Sequence, residues 1–568
     1  MLPRTLVSSA IAALVLAGCA SAPSRAPAPA SRGPIDIHLV ALNDFHGNLE
    51  ASKYTYTSAA TGQKQTLQAG GIDTLGAALQ AWRREDKNLL FVAAGDLIGA
   101  SPALSSMWAD EPSIEAMNLL GLSASSLGNH EFDAGRKELL RQQNGGCDSP
   151  RAAKACKLAP DFGGAKYTYL AANVIDSATG QPLVPAYRIT DVKGVKVGLV
   201  GAVLKDTASV AVSTAIAGLS FLDEAESINK ALPQMRAQGA QVFVVLIHEG
   251  GHTDEAPDKP GCNNLKGEIV DIVKKLDPAV RLVITGHSHR GYLCNVDGRV
   301  VTQADAAGHL LSRITMKVDP ASGAVADIDV RNVVMKPGEY PADPKMSSYL
   351  AMVKERGAAV LARPVARLGA PVIPRRESEA GESPLGDVIA DAVVAATSDK
   401  GVQIGFMNMG GVRRDLEAGA DLTASFGQAQ AVLPFGNTLV VMDLTGAQLR
   451  KLLEQQWRAG ASGGYMLQVS SGLSYQWDST RPLGSRVVPG SVKLHGMPVD
   501  DTKTYRVAAN NFLAEGGDNF PEFAKGANKV DTQVRDLDAL IDYLGKHEGT
   551  GGQSASFAPT TPRIQKLR

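Results

Sequence analysis

Short apolar runs recur along the first half of this chain, and each stops at polar side chains. Ile35 to Leu42 leads into Asn43-Asp44-Phe45-His46-Gly47, and Leu89 to Ala94 leads into Gly95-Asp96. Val242 to Ile247 leads into His248-Glu249-Gly250-Gly251-His252, and Arg281 to Ile284 into Thr285-Gly286-His287-Ser288-His289. Runs of this length and composition read as buried strands, whereas Ile72 to Arg84, Ser113 to Leu120, Glu224 to Gln238 and Gly267 to Leu276 carry helical spacing. The alternation predicts an α/β fold, with polar residues at the carboxyl ends of its strands, where such folds build sites.

The pattern then changes. Strands around Val300 to Met335 close a first domain, and Asp343 to Leu361, bounded by Pro344 and Pro364, predicts a connecting helix. A second α/β unit follows. It has a helix at Leu385 to Ala396, strands near Val402 to Met407 and Leu439 to Asp443, a helix at Gly446 to Gln456 and a late helix at Asp531 to Leu544. Glycine-rich turns occur at Asn408-Met409-Gly410-Gly411 and Glu515-Gly516-Gly517-Asp518. The 568 residues exceed what one core organises, and the expected domains are 35–340, a connecting helix at 341–362, and 363–568.

Composition narrows the class. With 44% hydrophobic and 20% charged residues and a net charge of −1, the chain lacks the field expected of a nucleic-acid or acidic-membrane binder. Arg4, an apolar run from Leu6 to Leu16 too short to span a bilayer, and Leu16-Ala17-Gly18-Cys19 read as a signal segment. The last four residues resemble a bacterial lipobox, with Cys19 as the lipidated first residue of the mature chain; plain secretion is the alternative. Residues 20–34, mostly Ala, Pro and Ser, form a tether. Cys147, Cys156, Cys262 and Cys294 remain, an even number in an exported chain, and so predict two disulfides. Of three pairings, Cys147–Cys156 with Cys262–Cys294 is favoured, because the first closes a short polar loop.

Ser126-Leu127-Gly128-Asn129-His130-Glu131-Phe132-Asp133 concentrates an amide, an imidazole and two carboxylates. Alone, it fits a strand-to-helix corner capped by Asn129 or Asp133. Five strand ends offering Asp44, His46, Asp96, Asn129, His130, Asp133, His248, His287 and His289 are better explained by metal binding. Imidazole with carboxylate suits Zn, Mn, Fe or Ni, and a bridged pair of such ions suits phosphoryl transfer to water.

Asp-x-His, Gly-Asp, Gly-Asn-His-Glu, His and Gly-His-x-His, in that order, resemble the calcineurin-like metallophosphoesterase domain. The longer forms at 42–47 and 128–133 resemble the periplasmic and ecto 5′-nucleotidase / UDP-sugar hydrolase family. That resemblance implies a four-layer αββα sandwich followed by a smaller α/β substrate domain. It also implies two divalent metal ions, of the Zn, Mn or Co kind. Asp44, His46 and His289 would hold one and Asn129, His248 and His287 the other, bridged by Asp96, with His130 and Asp133 as catalytic dyad. His252 falls beyond the matched position, and His309 has no assigned role.

Asn408-Met409-Gly410-Gly411-Val412-Arg413 is similar to the family's Asn-x-Gly-Gly-Ile/Val-Arg turn, which implies Arg413 on phosphate and Asn408 on the nucleoside. Leu433-Pro434-Phe435-Gly436-Asn437 and Asn511-Phe512 through Asp518 resemble the segments that sandwich a base between Phe435 and Phe512, with Asn437 and Asp518 as polar contacts. Arg375 matches one further phosphate-binding position, but Glu379 stands where the family places a second Arg, and Arg376 is the neighbouring substitute. The implied activity is hydrolysis of extracytoplasmic nucleotides to nucleoside and phosphate, extending to nucleoside di- and triphosphates, UDP-sugars or 2′,3′-cyclic nucleotides. The expected molecule is a monomer of the bacterial cell envelope, in the periplasm or on the outer membrane, touching lipid only through its N-terminal anchor. Alternatives are a related two-metal hydrolase such as a thiosulfohydrolase, and a non-catalytic nucleotide-binding lipoprotein.

Overall fold

The computed structural model describes residues 33–458, 464–548 and 562–568; the signal segment and Cys19 lie outside them. Two mixed six-stranded sheets form the N-terminal domain. One runs Val325–Val334, Leu310–Val318, Ile35–Leu42, Leu90–Ala94, Ala124–Ser126, Thr168–Leu170. The other runs Gly291–Val296, Arg299–Ala304, Val280–Thr285, Val242–His248, Val195–Val203, Tyr187–Val192.

Strand periodicity decides how these layers stack. In Ile35–Leu42, Ile37, Leu39 and Ala41 enter a core shared with Val242, Val244 and Leu246 of the other sheet. Val40 and Leu42 point the opposite way, into a core with Ile72, Leu75 and Met117 of two helices. Phe243, Val245 and Ile247 likewise face outward, onto Ile228, Leu232 and Ile269 of two other helices. A side-chain period of two thus buries both faces of each central strand and yields helix, sheet, sheet, helix. Each fully buried aliphatic side chain contributes about 1.5–3 kcal/mol.

Asp343 caps the connecting helix Pro344–Leu361 by accepting from Lys345 N (3.0 Å). That helix packs on Ile72–Glu85 and also touches Phe426–Val432 of the C-terminal domain. The C-terminal domain is built on a five-stranded sheet ordered Leu467–Val469, Ile404–Asn408, Thr504–Asn510, Thr438–Thr445, Ala527–Arg535.

One expected element is corrected. Residues 531–535 of the predicted late helix belong to the edge strand Ala527–Arg535, which pairs with Thr438–Thr445, and the helix is Asp536–Lys546. Ladder pairing overrides local helical spacing up to Arg535, and the acidic first turn at Asp536 and Asp538 marks the true start. The cysteines pair as favoured, Cys147–Cys156 and Cys262–Cys294. Among the described residues no helix is long and apolar enough to cross a membrane.

Candidate metal centre and nucleotide cavity

Parallel pairing of Ile35–Leu42, Leu90–Ala94 and Ala124–Ser126 brings three of the polar strand ends together. The second sheet delivers His248, His287 and His289 from the facing side. Asp44, His46, Asp96, His287 and His289 all have φ between 46° and 71°, the left-handed region that non-glycine residues rarely adopt. Backbone strain gathered in this way is expected where surrounding structure must aim side chains at one point.

The side chains converge. Ligating atoms of Asp44, His46 and His289 lie within 4.8 Å of one another, as do those of Asp44, Asp96 and His248. His46 Nε2 is 3.0 Å from His289 Nε2, and Asp96 Oδ2 lies 3.6 Å from His46 and 3.0 Å from His248. Asp44 belongs to both groups, and Asp96, a member of the second, also approaches His46 of the first. His287 Nδ1 contacts Asn129 Oδ1 at 3.0 Å, and the His287 ring sits edge-on to His248 with centroids 5.3 Å apart.

The donor set fits divalent cations. His46 Nδ1 donates to Gly99 O (2.9 Å) and His248 Nδ1 donates to Ala94 O (2.7 Å), so both Nε2 atoms face the pocket. A carbonyl partner on one ring nitrogen is what orients a metal-binding imidazole through the other. His248 Nε2 is buried and faces Asp96 Oδ2 at 3.0 Å. Burial disfavours charge on His248, yet Asp96 and Asp44 draw it up to about 10, a sign that these carboxylates want a cation beside them. Burial also raises Asp44 and Asp96, but the surrounding imidazoles, His289 and His248 foremost, outweigh it and hold both carboxyls low.

Glu131, which carries no expected role, holds the frame. Its carboxylate accepts from Asp96 N (2.9 Å), Leu97 N (2.8 Å) and Gly128 N (2.6 Å), tying two strand ends into one rigid loop pair. Gly128 is required there, since a Cβ would sit 2.1 Å from Asp96 Oδ1. The deep burial of this Glu, beside exposed-looking neighbours in the sequence, is not readable from residue order. Asn43 is similar: its amide donates to Asp44 Oδ2 (2.7 Å) and its carbonyl accepts from Ala304 N (2.8 Å).

His130 Nδ1 contacts both Asp133 carboxylate oxygens at 3.0–3.1 Å. Burial works against a charged His130, but Asp133 and then Asp96 prevail and raise its pKa. Its ring stacks on Phe435 from the other domain, centroids 5.5 Å apart and 24° from parallel. A cavity of about 190 Å³ between the domains is lined by Asn129, His130, Asp133, His287, Asn408, Arg413, Phe435, Asn437, Phe512 and Asp518. Asn408 donates to Asp518 Oδ2 (2.7 Å), and burial raises the Asp518 carboxyl. Phe512 packs so closely on Gly517 that a Cβ there would meet its ring at 2.4 Å.

Arg375 lies outside this cavity, in two neighbouring ones. Glu379 faces neither; it lines a separate groove with the C-terminal residues 562–568. Arg376 joins Arg375 and Arg290 around the Asn408–Asp518 pair. His309 is a packing residue, bonded to Ser52 Oγ (2.8 Å) and stacked on Tyr54. His252 is half-buried, and its backbone bridges Lys266.

The sequence matches the calcineurin-like phosphoesterase family over residues 37–291 and the 5′-nucleotidase C-terminal domain over residues 362–525. This chain belongs to the metallophosphoesterases that carry a 5′-nucleotidase C-terminal domain. The phosphoesterase is 30% identical to the cell wall protein Lmo0130 of Listeria monocytogenes, across 92% of this chain and 69% of that protein. It is 29% identical to the endonuclease YhcR of Bacillus subtilis over 90% of its own length, but spans only 40% of that larger protein. The crystal structure of a 5′-nucleotidase precursor from Thermus thermophilus superposes with a TM-score of 0.71 at 28% identity, covering 94% of this phosphoesterase and 99% of that chain. Its family uses divalent metals, and its reaction class is phosphoric monoester hydrolysis.

Proposed function

We propose that this protein is a two-metal phosphohydrolase of extracytoplasmic nucleotides, with a metal-binding domain at 35–340, a connecting helix at 341–362 and a substrate domain at 363–568. The observation that carries the reading is the single cavity in which the His130–Asp133 pair and Asn129 meet Phe435, Phe512, Asn408 and Arg413. In this reading Asp44, His46, Asp96, His248 and His289, with Asn129 and His287 beside them, hold two divalent cations. Those cations supply Lewis acidity toward phosphoryl oxygens and make water nucleophilic at neutral pH.

The chain's own residues do the rest. Phe435 and Phe512 offer flat apolar surfaces to a base, which tolerates any nucleobase. Arg413 presents its guanidinium fork to the phosphoryl oxygens. His130, kept protonated by Asp133, stabilises the charge that develops on those oxygens and steadies the departing ester oxygen. Asn437, Asn408 and Asp518 meet the polar edge of the nucleoside. The N-terminal apolar run and Cys19 support a lipid anchor in the cell envelope.

The test is phosphate release from AMP, ATP, UDP-glucose, cyclic 2′,3′-AMP and bis-p-nitrophenyl phosphate. It is run on stripped protein with Mn, Co, Zn or Mg restored. Release from AMP that needs added metal is expected. Metal-loaded protein that releases nothing from any nucleotide refutes the reading.

A further inference from the structure

Val210, Ala211 and Val212 of the N-terminal domain line the same cavity as Phe435, Phe512, Asn437 and Asp518 of the C-terminal domain. The family resemblance places every nucleoside contact in the C-terminal domain, so these side chains are an addition from the opposite side. None of them carries a hydrogen-bonding group. They give the cavity an aliphatic wall, while its polar residues stand elsewhere.

The segment is rooted among the expected site residues. Leu204 N donates to His248 O (3.0 Å), and Thr207 Oγ1 donates to Leu204 O (2.6 Å). Arg136 N, three residues beyond Asp133, donates to Ala215 O (3.3 Å). Leu204, Ala211 and Ile216 are buried in the core that also holds Leu127 and Phe132. The wall is therefore fixed to the frame that carries His248 and the His130–Asp133 pair.

Its tip is bound to the other domain. Ser213 N and Ser213 Oγ both donate to Glu515 Oε2, at 2.9 and 2.8 Å. Hydrogen bonds onto a carboxylate are the stronger kind, and two from one residue fix direction as well as distance. Glu515 lies between Phe512 and Asp518 in the chain, on a turn where Gly516, Asp518 and Asn519 have φ of 95°, 51° and 56°. Lys529, whose charge acts on Glu515, also ties that turn by donating to Ala514 O (2.7 Å) and Ala524 O (2.9 Å). One contact thus sets the aliphatic wall and the turn that presents Phe512 and Asp518.

A wall of this kind selects by chemistry. A nucleoside buries the faces of its base and sugar against it without losing a hydrogen bond. A polyol brings hydroxyl groups that the wall cannot pair, and an unpaired buried hydroxyl is costly. We propose that Val210–Val212 is a specificity-determining wall for the alcohol half of the substrate, selecting nucleosides over polyols, and that Ser213 and Glu515 are the positioning residues that hold it there. The reaction rests on the phosphohydrolase reading; the wall is a binding feature and is measured without turnover.

The probe is adenosine, titrated calorimetrically into the full chain. Wild type is expected to bind it, and Glu515→Ala to bind it about tenfold more weakly. Glu515→Gln keeps one acceptor oxygen and is expected within about threefold of wild type. Val212→Thr adds a hydroxyl at nearly constant shape and should weaken adenosine about threefold. In the metal-loaded enzyme, Glu515→Ala should raise KM for AMP about tenfold with kcat within about twofold of wild type. The inhibition constant of glycerol 3-phosphate against AMP should stay within about twofold in the same variant. Failure of wild type to bind adenosine overturns the proposal, as does equal binding by wild type, Glu515→Ala and Val212→Thr. A fall in kcat with KM unchanged also overturns it, by placing the segment in the chemical step. If no nucleotide is hydrolysed but adenosine binding still depends on Glu515 and Val212, the reaction assignment fails and the wall stands.

Discussion

Glu131 shows how much a single buried carboxylate controls. It sits between two residues expected to do chemistry, but touches neither metal pocket nor substrate cavity; it accepts three main-chain N–H groups instead. In Glu131→Gln the amide nitrogen must face at least one of those donors, at a cost of roughly 1–3 kcal/mol. The expected outcome is a lower melting temperature together with substoichiometric metal by elemental analysis. A variant that keeps full metal content and native melting would show the clamp to be dispensable. His130→Ala tests the neighbouring role. Its kcat for AMP should fall about 10²–10⁴-fold with little change in metal content. A loss of metal in step with activity would mean that His130 belongs to the ligand set.

At the scale of elements, the helix Pro384–Ala396 carries a pH-dependent weakness. Asp387, in its first turn, is buried, with Arg563 at 3.8 Å and the Glu382 carboxyl group beside it. Burial raises its pKa, Arg563 pulls it down, and Glu382 pushes it up again, to about 8. The unfolded carboxyl titrates near ~3.9. Between those values the folded chain keeps a proton that the unfolded chain loses, so stability declines as pH rises through that window. Asp387→Asn should therefore melt with a shallower pH dependence between pH 5 and 8.5, and parallel curves for the two proteins would remove Asp387 as the cause. The disulfides act on connections between elements. By loop-closure entropy, removing Cys262–Cys294, separation 32, should cost about 4 kcal/mol, and removing Cys147–Cys156, separation 9, about 2.5 kcal/mol, read from denaturant midpoints. The reverse order would mean that strain or residual structure dominates.

For the whole molecule, the Asp and His cluster draws side chains from two sheets, and the cavity between Phe435 and His130 joins two domains. Chelation should lower the melting temperature as well as abolish phosphate release, because ions bound only by the folded chain stabilise it by about 4 kcal/mol at 1,000-fold excess over Kd. An unchanged melting curve after chelation and Mn re-addition would place any metal outside the fold's framework. The buried strands and the helices were legible in the chain as continuous apolar runs and helical spacing, while their stacking into layers was implied only by the family resemblance. The polar strand ends were legible for the complementary reason, that Asp and His are costly in an apolar interior unless something binds them. Residues 531–535 misled because the ladder with Thr438–Thr445 outweighs local spacing. Sequence alone therefore determined the α/β alternation, the even number of cysteines left to pair and the kinds of side chain offered to the site. The tertiary structure alone decided that Asp44 is shared by two clusters, that Glu131 is a clamp, and that Arg414 shares a cavity with His46 while Glu379 lies elsewhere. Those outcomes depend on strand register and on left-handed turns, which bring together residues far apart in the chain and leave no periodic trace along it.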